Sequence, residues 1–132
     1  VPGETDLDAM LGHLTVTVRP GRFTVVQADG TVALGDGVEA VLREQEGTTV
    51  VATVEAAARE SWDVGFEAAW LTLDVHSALE AVGLTAAVAT ALAAEAIPCN
   101  VLAGYHHDHL LVPADRVDDA EACLARLRHE RR

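Results

Sequence analysis

Lysine is missing altogether, and the nine basic residues, all arginine, stand against 21 acidic ones for a formal net charge of −12. A chain so acidic lacks the clustered positive charge that the phosphate backbone of nucleic acid or an anionic membrane requires, so neither partner is expected. The all-arginine usage reads as a genomic bias rather than a functional signal. Aromatic residues make up 4% of a chain that is 50% hydrophobic, which leaves valine, leucine and alanine to build the core. Two cysteines, Cys99 and Cys123, are too few and too far apart for a zinc ribbon or a secreted disulfide framework. Each falls on an apolar face, and buried free thiols are expected. No charged segment followed by a short apolar one opens the chain, and no apolar run approaches the roughly 18 residues of a spanning helix. The default expectation is a cytoplasmic protein. Also absent are the G-x-S-x-G elbow, the P-loop, the dinucleotide fingerprint and a reactive cysteine with a supporting base. With 132 residues the chain makes one domain or two very small ones sharing a core.

What is present concentrates in residues 70–113, WLTLDVHSALEAVGLTAAVATALAAEAIPCNVLAGYHHDHLLVP. Trp70, Leu71, Leu73 and Val75 are interrupted by Thr72 and Asp74, an alternation that predicts a half-buried strand with one face partly wet. From Leu84 to about Ala96, apolar residues at Leu84, Val88, Ala91 and Leu92 give a helical stripe in an alanine-rich segment. Ile97 and Pro98 end it. CNVLAGY predicts a second strand in which Gly104 allows a bulge or a close backbone approach. HHDH forms a turn, LLVP the returning strand, and a last helix runs from about Arg116 to Arg128, with Asp118 and Asp119 suiting its start and Arg126 and Arg128 its end. The order β-α-β-β-α is most of a ferredoxin-like split βαβ unit. Its missing strand must come from the N-terminal half or from a partner.

In that half, Thr5 is placed to cap a short helix through Leu11. LTVTV and RFTVVQ, separated by the turn at Arg19 to Gly21, predict a hairpin. Gly30 to Gly37 reads as a surface loop. Val38–Arg43 and Thr48–Thr53 flank Glu46-Gly47 as a second hairpin, and Val54 to Glu60 forms a short helix. Ser61 to Glu67 is the linker between halves, anchored by Trp62 and Phe66 because aromatic groups bury large areas. Two four-stranded sheets, or one continuous sheet, with helices on one face, is the economical arrangement.

VHSALEAVGLTAAVATAL, CNVLAGYHHDHLLVP and the earlier REQEGTTVV resemble the ACT domain, the small module that binds amino acids in metabolic enzymes and sensors. More narrowly, they are similar to small bacterial proteins built from two ACT-like halves, related at a distance to CASTOR-type arginine sensors. The resemblance implies an α+β, ferredoxin-like βαββαβ fold in two halves, 1–65 and 66–132, with antiparallel sheets. It also implies a non-catalytic protein that binds an amino acid or similar small zwitterion, needs no cofactor, and works as a homodimer or on an enzyme or regulator partner.

The expected site is the strand-to-helix loop. Backbone N–H groups at the mouth of the Leu84 helix, contributed by Val82 to Thr85, suit a carboxylate. Gly83 lets a ligand approach the main chain. Glu80 can accept an ammonium, and His76, Ser77 and Thr85 add polar contacts. The resemblance adds Asn100 and Val101 of the second strand. Against this stands a plainer reading in which Ser77 caps a turn and Glu80 sits in a helix-entry loop. His107 and His109 form a weak alternative metal pair, outweighed by a polar hairpin in which Asp108 bonds its own backbone. His13 and His129 are expected in solvent. Two further readings stay open: a small acid-base enzyme such as an isomerase using His76, Glu80, Tyr105 and His107, and a pure dimerisation module pairing through sheet edges.

Overall fold

The computed structural model describes residues 6–75 and 82–130. Its elements run α1 (Leu7–Gly12), β1 (Val16–Val18), β2 (Phe23–Ala28), β3 (Val38–Glu44), β4 (Gly47–Thr53), α2 (Val54–Arg59), β5 (Glu67–Leu73), α3 (Leu84–Ala94), β6 (Asn100–Ala103), β7 (Asp108–Pro113), a 3-10 turn (Ala114–Arg116) and α4 (Val117–Glu130). They form two compact units, Val1–Arg19 with Ala69–Arg132, and Pro20–Ala68. This division differs from the sequence halves 1–65 and 66–132, since residues 6–19 pack with the C-terminal segment.

In the first unit the strand order is β1-β5-β7-β6. β1 pairs antiparallel with β5, setting Val16, Thr17 and Val18 opposite Leu73, Thr72 and Leu71. It therefore supplies the strand that β5-α3-β6-β7-α4 lacked. The expected hairpin between LTVTV and RFTVVQ does not form, because β1 takes β5 as its partner while β2 pairs with β4 over Phe23–Ala28. The turn residues at Arg19 to Gly21 are there, with Gly21 at φ 94°, yet turn chemistry specifies only that the chain changes direction. Burial decides which strand it meets.

Side chains of β5 alternate between two surroundings. Leu71, Leu73 and Val75 join Leu110 and Val112 of β7, Met10 and Leu11 of α1, Val88 and Leu92 of α3, and Leu124 and Leu127 of α4 in one apolar cluster. A leucine fully removed from water in this way contributes about 2–3 kcal/mol. The opposite face is partly wet as expected, with Thr72 half-buried and Asp74 exposed, while Ala68 and Trp70 on it are buried. Trp70 is covered there by the Arg19 guanidinium, 4.2 Å from its ring centroid, and by the His109 ring at 5.4 Å. Asp6, rather than Thr5, caps α1, its Oδ1 accepting from Ala9 N at 3.1 Å; Thr5 lies outside the described residues.

Helix α3 ends at Ala94, ahead of Ile97 and Pro98. Ala96 adopts a left-handed conformation (φ 57°), Ala96 N donates to Ala93 O, and Ile97 N donates to Leu92 O, both at 3.0 Å. This is a Schellman closure. The buried Ile97 locks it to the core, and the Arg116 guanidinium donates to the Glu95 carbonyl at 3.2 Å. An L-residue in that conformation costs roughly 1–2 kcal/mol, part of which glycine recovers. Ala96→Gly is therefore expected to raise stability by about 0.5–1 kcal/mol in urea denaturation, and a loss of stability would show that the closure is drawn wrongly.

The second unit has the order β3-β4-β2, with the first two residues of β5 beside β2. The β3–β4 hairpin forms as expected, turning through Gln45 and Glu46 with Gly47 already paired to Glu44, and it has a register shift between Val38 and Ala40. Thr53 Oγ1 caps α2 by accepting from Ala56 N at 3.1 Å. Val26, Ala28, Val38, Val50, Ala52 and Ala56 form its core, with Trp62 packed against it as foreseen.

Candidate ligand-binding site

The strand-to-helix segment is described from Val82 onward; His76, Ser77 and Glu80 lie outside the described residues. Val82 is 82% exposed. Gly83 is the N-cap of α3 at φ 104° and offers no side-chain cap bond. The first-turn N–H groups are thus left for solvent or a ligand, and the helix's partial positive charge adds to their attraction for an anion. Leu84 faces the core at 3% exposure, while Thr85 is exposed.

Gly83 has a second neighbour that the sequence reading missed. A Cβ built on it would lie 3.0 Å from Leu7 Cδ2, so α1 backs the mouth of α3. The signal was available: Leu7, Met10, Leu11 and Leu14 follow helical spacing, which marks α1 as an amphipathic helix with a packing partner.

The β6–β7 hairpin meets the other end of the loop. His107 Nδ1 lies 3.4 Å from the Val75 carbonyl oxygen, which sets the Gly104–His107 turn beside the point where the 76–81 segment begins. Gly104 N donates to His107 O at 2.9 Å, and a Cβ on Gly104 would meet that oxygen at 2.6 Å. The expected close approach is there, and only glycine allows it. Asn100 and Val101 pair with Leu111 and Leu110 and are exposed. Asn100 sits four residues from Gly104, about 13 Å along the strand, so the hairpin tip rather than the Asn100 end of β6 adjoins the loop.

The histidines serve different partners. His109 Nδ1 accepts from Trp70 Nε1 at 3.3 Å and lies 2.9 Å from Thr72 Oγ1. Burial, then the Arg19 guanidinium and His107, hold the His109 pKa below its ordinary value, which keeps the ring neutral and Nδ1 an acceptor. Among the described residues no group of three histidine, cysteine or carboxylate side chains is placed to hold a metal ion. Of the acid-base set, His76 and Glu80 are undescribed, and Tyr105 is 75% exposed with its ring edge-on to His106. His13 and His129 are exposed, as expected. Cys99 is half-buried and Cys123 buried, both free. Burial raises the Cys99 thiol; burial and the Glu95 carboxylate push Cys123 up to about 11. Both are protonated at neutral pH and poor nucleophiles.

A four-stranded sheet ordered β1-β5-β7-β6, one face covered by α1, α3 and α4, and a glycine-capped helix after the central strand define a ferredoxin-like module. Two ACT domain models match the sequence, one over residues 2–69 and the other over 66–126. The chain belongs to the ACT domain family, whose domains are regulatory, small-ligand-binding modules rather than catalysts. Among solved structures it is similar to a Vibrio cholerae protein of unknown function described as a possible transport protein, with 35% identity, 92% of this chain and 95% of that chain covered, and a TM-score of 0.80. An Agrobacterium tumefaciens protein shares the fold at 15% identity, with 87% and 89% of the two chains covered and a TM-score of 0.66. So does Clostridium acetobutylicum aspartate kinase, an allosteric enzyme, at 12% identity and TM-score 0.60, where the match covers 89% of this chain and 34% of the kinase. No curated protein matches the sequence. No helix among the described residues is long and apolar enough to cross a membrane.

Proposed function

We propose that this protein is a cytoplasmic sensor whose ligand is an amino acid, bound at the segment from His76 to Thr85. The reading rests chiefly on Gly83: a helix that starts on a left-handed glycine, with no side chain capping its first turn, presents N–H groups to a carboxylate. Glu80 accepts the ligand's ammonium, Ser77 and Thr85 add hydroxyl contacts, and the Gly104–His107 turn closes the site from the β7 side. Asn100 and Val101 contribute through a second copy of the chain in a homodimer, where the far end of β6 is presented to a neighbour's loop. Ligand binding acts by favouring a state in which the subunits are held more tightly. A ligand shifts such an equilibrium only by its difference in affinity for the two states, and the downstream partner is an enzyme or regulator that distinguishes them.

A thermal-shift screen of the twenty amino acids tests this reading. One or a few should stabilise the protein by RT ln(1 + [L]/Kd), about 2.7 kcal/mol at a hundredfold excess over Kd, and Glu80→Ala should remove most of that gain. Twenty flat responses would count against the amino-acid reading.

A further inference from the structure

None of the residues just assigned to the loop site takes part in a groove of about 220 Å³ on the outer side of β1, between that strand and the second half of α4. Its walls are apolar in the middle, with Leu14 and Val16 on one side and Leu124 and Ala125 on the other, and charged at the ends. Arg128 and His129 mark one end and Glu121 the other, seven helical residues apart, or about 10 Å along the axis.

Two observations give the groove a chemical preference. Arg128 Nε is buried and has no hydrogen-bond partner among the described residues, and a buried guanidinium N–H without an acceptor is costly. The strand wall is polar as well. Arg19 N donates to Trp70 O and Asp74 N to Thr15 O, so in this register Thr17 is the residue between them that bonds to β5, and the main-chain groups of Val16 face outward. β1 has no second strand neighbour among the described residues, and Val16 lines the groove.

We infer that this groove binds a small linear dipolar molecule, with a carboxylate at one end and an ammonium at the other, joined by an unbranched apolar body. The carboxylate accepts from the Arg128 guanidinium beside His129. The body lies over Leu124 and Ala125, and the ammonium donates to Glu121. A short zwitterion such as glycine cannot span both ends, which separates this site from the loop site in ligand length.

Titration of ε-aminocaproate into the nitrogen-15-labelled full chain tests the assignment. The Arg128 Nε–H resonance and the amides of Val16 and Ala125 should shift saturably, and hexanoate and hexylamine, each lacking one charged end, should bind at least about tenfold more weakly. Arg128→Gln should weaken binding about tenfold or more, and so should Ala125→Leu, which fills the groove and leaves every charge in place. Glu80→Ala should leave it unchanged, so loss of the loop site and loss of the groove site are read separately. Absence of saturable shifts, shifts confined to residues 82–85 and 105–107, or wild-type affinity in both groove variants would overturn the inference.

Discussion

Thr17→Pro is expected to destabilise the protein by about 3 kcal/mol or more, whereas Val16→Pro, one residue away, costs under about 1 kcal/mol. The difference follows from register. Bonds from Arg19 N to Trp70 O and from Asp74 N to Thr15 O bracket the pair Thr17–Thr72, so alternation gives Thr17 an N–H directed at β5 and Val16 one directed away from it. Proline at position 17 deletes a ladder bond in the strand that completes the sheet, while at position 16 it deletes a donor that faces outward. Thr17 Oγ1 also donates to Asp74 Oδ2 at 2.5 Å, and Thr17→Val isolates that exposed contact. Urea midpoints of the three variants measure the terms. Equal losses at 16 and 17 would mean that β1 does not pair with β5 in this register.

Gly37→Ala carries a comparable cost, about 3 kcal/mol, for a different reason. Its φ of +90° strains any side chain, and a Cβ there would lie 2.6 Å from Thr53 Oγ1 and 2.9 Å from the Ala56 Cβ. Thr53 Oγ1 is the acceptor that caps α2, and Thr53 N donates to the Gly37 carbonyl at 2.8 Å. Relieving the contact therefore loosens the cap, whose loss alone costs about 1 kcal/mol. Gly35 is the control: its φ of +111° is just as restrictive, but its Cβ would meet nothing within 4 Å. Gly35→Ala should lose only the conformational share, roughly 1–2 kcal/mol. Matching losses at the two glycines would show that the loop does not pack on α2.

Much of the C-terminal architecture was legible because its signals are local. Leu84, Val88 and Leu92 repeat at helical spacing and are the residues α3 buries; Gly104 announced a close approach and makes one. The same holds for the Glu46-Gly47 hairpin, where both strands and the turn lie within 16 residues. The errors fall where the deciding partner is far away in sequence. Nothing in LTVTV distinguishes a hairpin with the next strand from pairing with residues 71–73, since both bury the same valines. The partly wet face expected for β5 is there at Thr72 and Asp74, half-buried and exposed, but only the arrival of Arg19 and His109 from distant segments shows how Trp70 on the same face is covered. At the site, Gly83 was identified from its place between strand and helix, while Leu7 against it depended on α1 packing some 76 residues away. Asn100 and Val101 came from resemblance alone, and the hairpin tip, tied to Val75 by His107, is the nearer part of β6–β7 to the loop.

Amino-acid binding at the mouth of α3 is the central proposal. Amide chemical-shift mapping with the amino acid that gives the largest thermal shift tests this most directly. The predicted result is a saturable set of changes centred on residues 76–85, reaching the turn at residues 104–107 and abolished by Glu80→Ala. Saturable binding that leaves the Gly83, Leu84 and Thr85 amides unmoved would contradict it.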